Sequence, residues 1–138
     1  MFDYSAVNSV AVIVAAIAQI VIGTVWYLPQ LFGKQWAAAT GREINTGPNP
    51  MLYVIAIIGS LVSAYVLALV LEVVMQARGP VSLVDGIAIG LIAWLGFIAT
   101  TQAVGGAFEG RSWTLFGINA GNSALSYAVM GAIIAAMS

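Results

Sequence analysis

The chain has 138 residues; 62% are hydrophobic, and only four are basic and five acidic. Soluble domains carry roughly 25% charged residues; this chain carries 7%, with a mean hydropathy of +1.02, too little charge to cover a water-exposed surface. An ordinary soluble enzyme, a disordered tail and a nucleic-acid binder are excluded, the last because four basic residues make no patch. An integral membrane protein remains, with the lipid bilayer as its first partner.

Two residue types are missing. Without Cys there is no disulfide, thiolate nucleophile or iron–sulfur ligation. Without His the usual general base and the commonest metal and haem ligand are gone. No catalytic set, metal or other cofactor is expected from these residues.

A membrane-crossing helix needs about 20 mostly apolar residues. The first such stretch runs from Ala6 to Leu28. It lacks a basic leader and ends in Trp26-Tyr27-Leu28-Pro29 rather than a small-residue cleavage site, so it is expected to be retained. Leu28, Phe32 and Trp36 then recur every four residues, which predicts a short interfacial helix over about residues 30–40. Trp26, Tyr27, Phe32 and Trp36 form its aromatic anchor at headgroup depth. Gly41–Pro50 is the one clearly polar loop.

The second span is Met51–Met75. Gly79-Pro80 turns the chain, and Ser82 with Asp85 three residues on predicts a capped start for the third span, Ser82–Gly106. Glu72, Arg78 and Asp85 gather around that turn as an expected ion-pair cluster. Glu109-Gly110-Arg111-Ser112 leads into the fourth span, Trp113–Met137. The fold class is thus an all-α four-span membrane bundle with one interfacial helix, treated as a single transmembrane domain. Lys34, Arg42 and Arg111 fall in the first and third loops, against Arg78 on the other side. The positive-inside rule places those loops in the cytoplasm and both termini outside.

The second and fourth spans share a pattern. Gly59 and Tyr65 match Gly121 and Tyr127 at the same spacing, and Phe32-Gly-Lys-Gln-Trp36 rhymes with Phe108-Glu-Gly-Arg-Ser-Trp113. A parallel two-hairpin duplication and coincidence in a Gly/Ala/Ser-rich chain both remain open.

Close helix packing in lipid uses small residues. Gly86 with Gly90 and Gly117 with Gly121 are the candidates for it, extended by Gly131 and Ala135. Neutral polar residues concentrate in the fourth span: Asn119, Asn122, Ser123 and Ser126, with Tyr127 beside them. Asn119, Asn122 and Ser126 share a helix face. Ser60, Ser63 and Tyr65, together with Gln19, are natural partners for it. The cluster either locks helices together or lines a polar site.

The stretch Gly23-Thr-Val-Trp26-Tyr27-Leu-Pro29-Gln-Leu-Phe32-Gly33-Lys-Gln-Trp36 resembles the opening motif of a mainly bacterial membrane family, domain of unknown function 1761. Asn8 and Ala11, Trp94-Leu-Gly96-Phe97, Phe108-Glu109-Gly-Arg111 and Ile118-Asn119-Ala-Gly121 extend the resemblance over nearly the whole chain. Leu28 stands where members often carry Ser, and Asn122-Ser123 where many carry Tyr-His, so no role of that His passes to this chain. The resemblance implies the four-span topology and a bacterial inner membrane, and it brings no reaction.

Three functions follow, in order of support. The first is a structural or accessory membrane protein, working as a homo-oligomer or beside partner membrane subunits. The second is a small transporter or channel for a neutral solute, lined by Asn119, Asn122 and Ser126. The third is a lipid-modifying enzyme, for which no acid–base pair or nucleophile set is present.

Overall fold

The computed structural model describes residues 2–41 and 50–138. The polar loop expected after Gly41, with Arg42 and Glu43, lies outside them. Helix α1 is Ser9–Trp26, α2 Gly33–Thr40, α3 Pro50–Arg78, α4 Leu83–Ala93, α5 Thr100–Phe108 and α6 Trp113–Ala136; a short 3₁₀ turn, Tyr4–Ala6, precedes α1. A π-helical segment, Trp94–Ala99, joins α4 to α5, so that Leu83–Phe108 is one continuous rod. Four helices are long and apolar enough to cross a membrane: α1, α3, this rod and α6.

Local chemistry sets the helix ends. Asn8 caps α1, its Oδ1 accepting from the amides of Val10 (3.0 Å) and Ala11 (3.2 Å). The same side chain donates through Nδ2 to the Met137 carbonyl at 2.8 Å, tying the start of α1 to the end of α6. Pro50 opens α3, where its missing N–H costs nothing. Gly79, at φ +88°, stops α3 in a conformation that disfavours a Cβ. Ser82 and Asp85 form the expected capping box of α4. Ser112 caps α6 by accepting from Leu115 N. Within the rod, the π turn disturbs the regular hydrogen-bond ladder. The Thr100 and Thr101 hydroxyls donate to the carbonyls of Gly96 (2.8 Å) and Phe97 (2.6 Å) just before them.

The α2 helix starts later than its aromatic periodicity suggests. Leu28 and Phe32 lie in the turn ahead of it, where Gly33 N donates to the Leu28 carbonyl at 2.9 Å. A Cβ on Gly33 would stand 2.8 Å from Leu28 O, so the chain folds back this tightly only with glycine there.

Helix α6 is the centre of the bundle. It touches α1, α2, α3 and the whole rod, while α1 packs between α6 and α3. The core joins Val12, Ala15 and Ala16 of α1 to Ala64, Leu67, Ala68 and Leu71 of α3 and to Met130, Ile134 and Ala135 of α6. Against the rod, α6 makes its closest approach through glycine. A Cβ on Gly90 would lie 2.9 Å from the Tyr127 carbonyl carbon, and one on Gly131 would lie 2.9 Å from that of Gly86. Small residues are what allow backbones to meet in this way.

The ion-pair cluster expected at the α3–α4 turn does not form. Among the described residues the one ion pair joins Arg111 to Glu109. Asp85 is engaged in the capping box, and Glu72 lines a separate hollow with Asn8 and Gln76.

Candidate functional site

Starting from α6, the polar residues divide into three groups. The first is held by α1. Trp26 Nε1 donates to the Ile118 carbonyl at 2.9 Å, and the Tyr27 hydroxyl donates to Asn119 Oδ1 at 2.6 Å. The Trp26 indole lies over Gly121, where a Cβ would come within 2.8 Å of its ring. Phe32 stacks on Trp26 with centroids 4.5 Å apart, and Trp36 meets Tyr27 edge-on at 6.0 Å. Trp26, Tyr27, Phe32 and Trp36 are thus half-buried, and two of them turn inward to α6.

The second group is held by the rod. Trp94 Nε1, at the head of the π segment, donates to Ser123 Oγ at 2.9 Å. Ser123 passes its own proton back to the carbonyls of Asn119 (3.2 Å) and Ala120 (3.1 Å). Ser126 lies deeper, fully buried, with its Oγ unpartnered, and Tyr127 is half-buried at the glycine crossing.

The third group faces a cleft. Above the packed part of the bundle α3 diverges from α1, leaving a cavity of about 490 Å³ between α1, α3 and α6. Gln19 and Thr24 of α1, Tyr53, Ser60 and Ser63 of α3, and Asn122 of α6 line it. Gln19 Oε1 and Asn122 Oδ1 are shielded and have no hydrogen-bond partner. Buried oxygens of this kind usually find one.

Ser60 and Ser63 therefore line one cleft with Asn122, whereas Asn119 and Ser126 do not line it; the Tyr27 hydroxyl that donates to Asn119 also neighbours the Asn122 amide. Tyr65 is exposed on the far side of α3. Gly86 and Gly90 meet α6, whereas a Cβ on Gly117 would touch nothing within 4 Å and Gly121 serves the Trp26 ring. Gly59 and Tyr65 are exposed while Gly121 and Tyr127 are half-buried, so the two halves of the suggested repeat have unlike surroundings. Sequence reasoning missed Trp94 as a partner of Ser123. The signal was there: an indole N–H inside a span needs an acceptor, and the fourth span offers hydroxyls.

No group of three or more acidic residues suited to a metal ion occurs among the described residues. What the site offers is neutral hydrogen bonding, with amides and hydroxyls that donate and accept without titrating near neutral pH.

Four apolar helices around a neutral polar interior have the make-up of a small helical membrane protein. Within that class, the chain belongs to the family described as Protein of unknown function (DUF1761), whose model matches residues 10–135. No curated protein matches the chain, and no solved structure does.

Proposed function

We propose that this chain is a structural or accessory protein of the bacterial inner membrane, working as a homo-oligomer or as a small subunit of a larger membrane complex. The observation that carries this reading is the amino-terminal half of α3. From Leu52 to Ile58 it is exposed, with Tyr53 at 65% and Ile55 at 58%, so the described residues of its own bundle do not pack closely over it. Gly117 adds an open, exposed glycine on α6 that a neighbouring helix can approach. Trp26, Tyr27, Trp94 and Ser123 are already engaged within the chain, which leaves apolar surfaces for association. In this reading α2 lies in the membrane interface with Lys34 at headgroup level, and the first and third loops face the cytoplasm.

Extraction from native membranes in polymer nanodiscs, followed by native mass spectrometry, tests the proposal. The expected result is a multiple of the 14.3 kDa chain or a stable complex with a second membrane protein, weakened by Gly117→Leu. A lone chain in every preparation overturns it.

The transporter reading draws support from the cleft alone. Of Asn119, Asn122 and Ser126, only Asn122 lines it. Solute flux in proteoliposomes that is absent, or unchanged by Asn122→Leu, ends that reading.

A further inference from the structure

We propose that the cleft between α1, α3 and α6 is a binding site for a neutral, hydroxyl-bearing lipid that enters sideways from the bilayer. The cleft takes in Tyr53 and Ala56 from the α3 surface proposed above for association, so a neighbouring helix is placed on the other faces of α3. The end of α1 and the start of α3 lie on one side of the bilayer; counted from that side Gln19 is about seven residues deep and Ser60 about ten, which at 1.5 Å per residue is about 10 and 15 Å. The hydrocarbon core is about 30 Å thick, so the inner end of the cleft, at Ser60 and Gln19, reaches toward its middle, while Thr24 and Tyr53 mark its outer end. Its α3 wall, including Tyr53 and Ala56, is exposed, and within the span the exposed side faces acyl chains.

The lining selects the occupant. Among the described residues no charged side chain borders the cleft, so a phosphate or ammonium headgroup would enter there without a counter-charge, which hydrocarbon penalises heavily. Gln19, Asn122, Ser60 and Ser63 present amides and hydroxyls instead, on an otherwise apolar groove. A lipid alcohol matches both parts, with its chain on the apolar wall and its hydroxyl at the amides. Gln19 Oε1 and Asn122 Oδ1 lack a partner. A half-turn of either amide exchanges its oxygen with its NH₂ at little change of shape. Each can therefore accept from the lipid hydroxyl or donate to it. A cavity of about 490 Å³ is within the usual size range of small-molecule sites, about 300–1,000 Å³.

The test uses the full chain in phosphatidylcholine nanodiscs doped with a diacylglycerol carrying a diazirine on one acyl chain. A matched probe has its free hydroxyl capped as a methyl ether, and a third carries the same chain on phosphatidylglycerol. Labelled positions are mapped by mass spectrometry. The diacylglycerol probe is expected to label the cleft walls, residues 19–24 and 53–63, well above the ether. One hydrogen bond of about 1 kcal/mol corresponds to about fivefold in affinity. Gln19→Leu and Asn122→Leu should therefore each lower labelling about fivefold. Both remove a shielded, unpartnered oxygen, so the bundle is expected to hold, and circular dichroism checks this. Ala56→Phe, at an exposed position on the cleft wall, fills the site and should abolish labelling whatever the amides do. Equal labelling by the alcohol and the ether, no labelling at the cleft walls, or preferential labelling by the phosphatidylglycerol probe overturns the proposal.

Discussion

Gly131→Ala is the sharpest probe of the bundle, because it adds one methyl group where two backbones meet. The new Cβ would lie 2.9 Å from the Gly86 carbonyl carbon and nearer still to its oxygen. Non-bonded carbons settle at about 3.5–4.0 Å, so α4 and α6 must part by at least about 0.6 Å. No side chain can swing away, since both obstructing atoms are backbone. Overpacking of this kind costs about 1–3 kcal/mol. The parting also strains the Trp94–Ser123 bond, two turns further along the crossing; interhelical bonds in lipid average about 0.6 kcal/mol. Against this stands the better helix propensity of Ala, at most about 1 kcal/mol. The net loss is about 1–2 kcal/mol, a 5- to 30-fold rise in the unfolding constant. Unfolding by SDS in mixed micelles, followed by tryptophan emission, measures it. Gly105→Ala is the internal control, with nothing within 4 Å of its Cβ, and should unfold no earlier than the parent. If the two variants unfold at the same SDS fraction, the close crossing of α4 and α6 is refuted.

Other perturbations read other joints. Tyr27→Phe removes the donor to Asn119 and should cost about 0.5–1.5 kcal/mol in the same assay; if Asn119→Leu alone and the double variant lose the same amount, the pair is the cause. Asn8→Ala removes the cap of α1 and its link to Met137, for an expected cost of about 0.5–2 kcal/mol, with faster amide exchange at Val10 and Ala11. Unchanged exchange there would count against the cap. Gly33→Ala forces open the turn after Tyr27 and should loosen the stacking of Phe32 on Trp26, seen as a red shift in tryptophan emission.

The spans were legible because lipid imposes one demand, long apolar helices, and residue type alone reports on it. The capping box of α4 was equally plain, since Ser82 and Asp85 are local to one turn. Facing was not legible. Trp26 and Tyr27 near a helix end look alike whether they sit in the headgroups or point inward. The choice depends on Ile118 and Asn119, some ninety residues away. Gly86–Gly90 and Gly117–Gly121 have the same spacing, yet only the first pair faces another helix closely, because spacing gives a stripe without its direction. The π segment has no composition signature. The cleft draws residues from three helices, and its existence depends on where α3 leaves α1, a property of the packed bundle rather than of any one stretch.

Of the four spans, α6 is the least apolar and the most buried. Those two facts have one cause: a neutral polar side chain is expensive against lipid and inexpensive against a partner, so the helix that carries most of them is driven to the centre. This makes a sign prediction within a single helix. Ser123 accepts from Trp94, and Ser123→Ala leaves an indole N–H without its acceptor, at a cost of about 1 kcal/mol or more. Ser126 is fully buried and its hydroxyl has no partner. Ser126→Ala removes an unpaid desolvation and one oxygen from a tightly packed place, so it should leave the bundle as stable or stabilise it by up to about 1 kcal/mol. The same substitution, one turn apart, should thus make SDS unfolding earlier at Ser123 and leave it unchanged or later at Ser126. Equal shifts in the same direction would mean that polarity acts on α6 through hydropathy alone, and that its individual hydrogen bonds do not set the arrangement of the helices around it.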